Sequence, residues 1–159
     1  MHRPPGRLFV LTLLAWTLLS GCFAGSPRPT TPAPCITQKL QDLVIRWGTE
    51  DSTGRVQAYE VNTRGEIFDI SSTADDKAER QYITHVDYPT YCERAAAIKD
   101  AFLQTQAMNV RGSRARFMEY VNPASDVYLR VTWNPDLSTF QSRYFRAEFD
   151  AIMAHVPTD

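Results

Sequence analysis

The chain has 159 residues, 43% of them hydrophobic and 22% charged, with 17 Lys and Arg against 18 Asp and Glu. This composition excludes disordered, collagen-like and multi-span membrane classes, and the length suits one domain with a single sizeable core. A formal net charge of −1 gives no sign of a nucleic-acid binder, because proteins that neutralise phosphates carry a clear positive excess.

In chain order, the first element is a leader. Arg3 and Arg7 precede an apolar run from Leu8 to Leu19, broken only by Thr12 and Thr17, which reads as the charged and hydrophobic regions of an export signal. Twelve residues make a helix of about 18 Å, too short for the ~30 Å hydrocarbon core. The run ends in Leu19-Ser20-Gly21-Cys22, which resembles the lipobox of bacterial lipoproteins. That resemblance covers the leader alone. It implies a diacylglycerol on the Cys22 thiol, cleavage after Gly21 and a further acyl chain, palmitate for instance, on the new amino terminus. Two or more chains would anchor the protein stably to a membrane, where one binds only marginally. Phe23 rather than Asp follows the cysteine. By the same resemblance this implies the outer membrane facing the periplasm in a Gram-negative cell, or the outer face of the plasma membrane in a single-membrane bacterium. Losing Arg3 and Arg7 with residues 1–21 would leave 15 basic against 18 acidic residues, about −3.

Residues 22–34 carry the lipid and then the run FAGSPRPTTPAP, with four prolines and no periodicity. Such a segment cannot build a core and extends at ~3 Å per residue, so it reads as a tether that holds residues 35–159 some 30 Å or more from the bilayer. With Cys22 assigned to lipid, Cys35 and Cys92 remain, and an oxidising exported compartment favours bonding them. The bridge would span 57 positions and stabilise by up to ~4 kcal/mol in the loop-entropy model.

The folded region reads as β-β-β-β-α-β-β-α. Leu43, Ile45 and Trp47 alternate with Asp42, Val44 and Arg46 between Leu40 and Trp47, a half-buried strand, with a turn over 50–54. Strands over 55–61 and 66–70 flank Asn62-Thr63-Arg64-Gly65, a four-residue hairpin loop whose glycine can turn left-handed. Residues 71–79 read as a surface loop and 81–86 as a fourth strand. Thr90 and Glu93 match a capping box for a helix that carries Cys92, Ala95, Ile98 and Phe102 on one stripe and ends near Asn109. Strands over 114–121 and 127–133 follow. The second alternates cleanly, with Val127, Leu129, Val131 and Trp133 facing the core and Tyr128, Arg130 and Thr132 facing away. Ser138 and Gln141 suggest a second capping box, before a closing helix bearing Phe145, Phe149, Ile152, Met153 and Val156 that Pro157 ends. Short connections favour antiparallel neighbours, so the expected fold class is α+β, a twisted antiparallel sheet of about six strands with both helices on one face.

Signatures of the commoner enzyme classes are missing, including G-x-S-x-G, H-E-x-x-H, the P-loop and G-x-G-x-x-G. His85 and Asp87 would share one side of a strand, but two ligands do not make a metal site, and no catalytic, metal or cofactor residue is assigned. Asp75 and Asp76 read as exposed loop acids. Arg111, Arg114 and Arg116 could hold an anion such as a lipid headgroup or a polymer phosphate, because guanidinium forks fit such oxygens. Tyr88, Tyr91, Tyr128, Tyr144 and Phe140 fall partly off the core stripes, and Tyr with Arg suits an interface. The expected function is a membrane-tethered, non-enzymatic binding module for an envelope protein or polymer. It predicts that Tyr128, Arg130 and their neighbours form an exposed patch on the sheet face away from the helices. The alternatives are an envelope hydrolase or transferase, for which His85 or His155 would have to meet acids in a cleft, and a small-ligand carrier with a cavity between helices and sheet.

Overall fold

The computed structural model describes Cys35 and residues 37–72, 79–105 and 108–158, which belong to one compact unit. The lipobox, the tether, Asp75 and Asp76 lie outside them. Six strands form one sheet: β1 (Val44–Asp51), β2 (Val56–Val61), β3 (Glu66–Asp69), β4 (Gln81–His85), β5 (Arg114–Asn122) and β6 (Val127–Trp133), ordered β4-β3-β2-β1-β5-β6 and antiparallel throughout. Helices α1 (Tyr88–Gln104) and α2 (Ser142–Met153) complete the expected order. The fold is α+β.

Local chemistry sets the boundaries. The first strand starts at Val44 rather than Leu40, because Thr37 O accepts from Leu40 N and Leu40 O from Leu43 N, committing that stretch to a tight turn. It runs on through Asp51, whose Oδ1 accepts from Thr53 N at 2.9 Å, Thr53 Oγ1 at 2.6 Å and Arg55 N at 3.1 Å to close the β1–β2 turn. Between β2 and β3, Asn62 Oδ1 accepts from Arg64 N and Glu66 N. Gly65 there has φ +77°, and any Cβ would sit 2.2 Å from Val86 O, so the glycine is required as expected.

Both expected caps move. Asp87, not Thr90, caps α1, its carboxylate accepting from Thr90 N at 2.8 Å. Pro89, which lacks an N–H to offer, then fits inside the first turn rather than ahead of it. The helix stops at Gln104, five residues short of Asn109. Residues 108–110 instead run beside β6, Thr132 N donating to Met108 O and Val110 N to Thr132 O, so an edge strand takes backbone that the sequence pattern assigns to the helix. At α2 the reciprocal box is Thr139 with Ser142, one residue on from Ser138 and Gln141: Ser142 N donates to Thr139 Oγ1 and Thr139 N to Ser142 Oγ.

The core lies between one face of the sheet and the two helices. Ile45, Trp47, Val61, Ile67, Met118, Val131 and Trp133 meet Ala95, Ile98 and Ala101 of α1 and Phe145, Phe149 and Ile152 of α2. Phe145 has the Phe102 ring at 5.0 Å and the Trp133 ring at 6.2 Å, and Trp47 Nε1 donates to Met153 Sδ at 3.1 Å. Tyr91, expected to be partly off the stripe, is only 1% exposed and belongs to this core; desolvation pushes its phenol far above the ordinary value. Cys35 and Cys92 stand as a disulfide pair with Cα atoms 5.6 Å apart, within the range a bridge requires. The pair fastens the start of the described chain to the first turns of α1.

Candidate functional site

Among the described residues no helix covers the other face of the sheet, and its side chains follow from strand parity. Residues that alternate with Ile45, Trp47, Val61, Met118, Val131 and Trp133 must point away from the core. Register then aligns one residue from every strand into a row. Tyr82 of β4 pairs with Phe68 of β3, Phe68 with Glu60 of β2, Glu60 with Arg46 of β1, Arg46 with Glu119 of β5, and Glu119 with Arg130 of β6. Six strands at ~4.8 Å spacing make this row about 24 Å long.

Its charges alternate and are bonded in series. Glu60 accepts from Arg46 Nε and from Arg80 Nε, each at 2.9 Å, and Arg80 stacks 3.5 Å over the Phe68 ring. Glu119 accepts from Arg130 Nη1 at 2.6 Å and Tyr128 Oη at 2.8 Å, with Arg46 Nη1 at 3.9 Å, and Arg130 stacks 4.3 Å over Phe117. Arg130 and Arg111 also reach Glu50, at 3.5 Å and 3.1 Å. The Glu60 and Glu119 side chains are 7% exposed, whereas those of Arg46, Arg80 and Arg130 are 39%, 49% and 32% exposed. The carboxylates thus lie beneath the guanidinium groups, which face solvent. Desolvation, followed by the nearby Glu119 carboxylate, raises the Tyr128 phenol above its ordinary value. Gly48, in the same face of β1, leaves no room for a side chain: a Cβ would sit 2.2 Å from Gln57 O.

Tyr128 and Arg130 therefore lie exposed and beside each other on the open face, joined through Glu119. Of the arginines expected to hold an anion, Arg111 and Arg116 are drawn to opposite faces of the sheet. Arg111 reaches Glu50 on the open-face side, Arg116 points to the helix layer, bonding Asp150 at 3.1 Å and lying 4.5 Å over Phe149, and Arg114 sits exposed at the start of β5. The other aromatics divide as well. Phe140 and Tyr144 stack with Arg143 at the start of α2, beside an open groove of about 370 Å³ floored by Ala97, Ala101 and Ala147 between the helices.

Parity places Arg46, Glu60, Phe117 and Glu119 on the outer face once the strands are known. What the sequence does not carry is the register that makes them one row. His85 is exposed at the end of β4. Asp87 is engaged in capping: its bonds from Thr90, and secondarily the nearby His155, hold its carboxyl below the usual range. Among the described residues no three His, Cys, Asp or Glu side chains gather as a metal site, and no helix is long and apolar enough to cross a membrane. No family model matches the chain, and no curated protein shows significant similarity to it.

Proposed function

We propose that this protein is a lipid-anchored component of the bacterial envelope whose folded domain is a non-enzymatic binding module, and that the open face of its sheet is the docking surface. The observation that carries the reading is the cross-sheet row. A one-sided sheet whose outer face is ordered by bonded charge pairs, and edged by exposed Tyr82 and Tyr128, offers a preorganised surface rich in the residue types that dominate interfaces. The lipobox sequence Leu19-Ser20-Gly21-Cys22 supports the anchor, and the proline-rich run that follows supports a domain held off the bilayer.

The anchor is tested by labelling cells with a clickable fatty acid: the wild type should be tagged and Cys22→Ser should not, and equal labelling of both would refute it. Docking is tested in intact cells with a photo-crosslinking amino acid in place of Tyr128. A discrete adduct is expected, abolished when Arg46 and Arg130 are both changed to Gln in a chain that still folds. Absence of any adduct from this position under good expression would overturn the reading.

A further inference from the structure

The open face also indicates what it binds. We propose that it receives an extended, acidic segment of a protein partner, laid along the row with its carboxylates on Arg46, Arg80 and Arg130 and its flanking side chains against Tyr82 and Tyr128. This rests on the reading of the open face as a docking surface and adds the chemistry of the occupant.

Charge is layered on this face. The acids are nearly buried and the guanidinium groups lie outermost, so an approaching molecule meets arginine first. Arg46, Arg64, Arg80, Arg111 and Arg130 face Glu50, Glu60, Glu66 and Glu119, a surplus of one positive charge on a chain whose formal total is −1. Each guanidinium has five N–H donors. Among the described residues, Arg80 commits Nε to Glu60, and Arg46 commits Nε to Glu60 with one Nη near Glu119, so these contacts use only part of each guanidinium's donors. The planes are already set, Arg80 by Phe68 and Arg130 by Phe117, so less side-chain entropy is lost on binding. A row of about 24 Å suits about seven residues of extended chain. A phosphate polymer fits less well, because its dense charge calls for a larger positive excess than one and would lie close above two buried carboxylates.

The test uses the full-length lipidated chain in detergent micelles and a fluorescein-labelled octapeptide of alternating glutamate and serine. The comparison probes are the glutamine–serine peptide and short-chain polyphosphate. The glutamate peptide should bind at least ~tenfold more tightly than the glutamine peptide and weaken as salt rises. Arg46, Arg80 and Arg130 all neutralise buried acids, so the companion variants are Tyr82→Ala, which touches none of them, and Arg80→Gln, which leaves Glu60 its bond from Arg46, with thermal melts showing that they fold. Each should weaken binding ~threefold or more. Equal binding of the two peptides, indifference to both companion variants, or tighter binding of polyphosphate than of the glutamate peptide would each overturn the proposal. A Tyr128 crosslink that maps to a partner segment without Asp or Glu would overturn it as well while leaving the docking reading standing, whereas absence of the crosslink removes the docking reading itself.

Discussion

The two faces of the sheet are built by the same strands and obey opposite rules. On the covered face, Ile45, Trp47, Val61, Met118, Val131 and Trp133 are buried against α1 and α2. There the stabilising effect is the removal of apolar surface from water, with close-packed rings adding to it. One residue along each strand, on the open face, Glu60 and Glu119 are nearly as well buried, yet each exists there only because arginines and, for Glu119, a tyrosine satisfy it. A packed apolar layer holds a domain together and gives a partner nothing to read. A bonded charge layer contributes less to stability, and its geometry is what a partner can recognise.

The contrast can be broken from either side, beginning with the covered face. Phe145→Ala should cost about 3–5 kcal/mol in urea unfolding, because the ring is fully buried between Phe102 and Trp133 and its loss leaves a cavity. Replacing Cys35 and Cys92 together by Ser should cost about 2–4 kcal/mol; no change in the unfolding midpoint would mean that the pair is not bonded in the mature protein. On the open face, Glu119→Ala should cost less, about 1–3 kcal/mol, since it strips an acceptor from Arg130 and Tyr128 but leaves groups that water can reach. Glu119→Gln should recover part of that loss by keeping an acceptor. If Glu119→Ala proved as damaging as Phe145→Ala, the open face would be a second core and not a recognition layer.

The smallest expected effect is pH-dependent. The Asp87 carboxyl is held below its ordinary value chiefly by its bonds from Thr90, so its contribution is present above the unfolded-state value and fades as pH falls through the folded one. Asp87→Ala should therefore lower Tm slightly at neutral pH, and the gap between variant and wild type should close in acid. A gap independent of pH would mean that the carboxylate is not the cap.

Much of the fold is legible because hydrophobic period is a local signal. The alternation from Val127 to Trp133 and the stripe through Phe145, Phe149 and Ile152 identify strand, helix and inner face directly from the sequence. Ends are less legible where two local solutions compete. Thr90 with Glu93 satisfies the box pattern, but Asp87 caps a helix that can also house Pro89. Tyr91 reads as an interface aromatic, but α1 starts three residues before the start a Thr90 cap implies, and Tyr91, four residues ahead of Ala95, falls on its buried stripe. The site is the least legible part. Tyr128 and Arg130 are found by parity alone, but the row through Arg46, Glu60 and Glu119 depends on pairings as distant as Arg46 with Glu119, 73 positions apart, which no local pattern encodes. Sequence proximity points instead to Arg111, Arg114 and Arg116, but Arg111 is drawn to Glu50 on the open face and Arg116 to Asp150 on the helix layer.

The central claim is that the open face, and not the helix layer, meets the partner. It is tested most directly by placing the same photo-crosslinking residue in turn at Tyr82 and Tyr128 on the open face and at Leu103 and Phe140 on the helix layer of the full-length protein in intact cells. The account predicts one common adduct from Tyr82 and Tyr128 that is missing from Leu103 and Phe140. Adducts confined to Leu103 and Phe140 would contradict it.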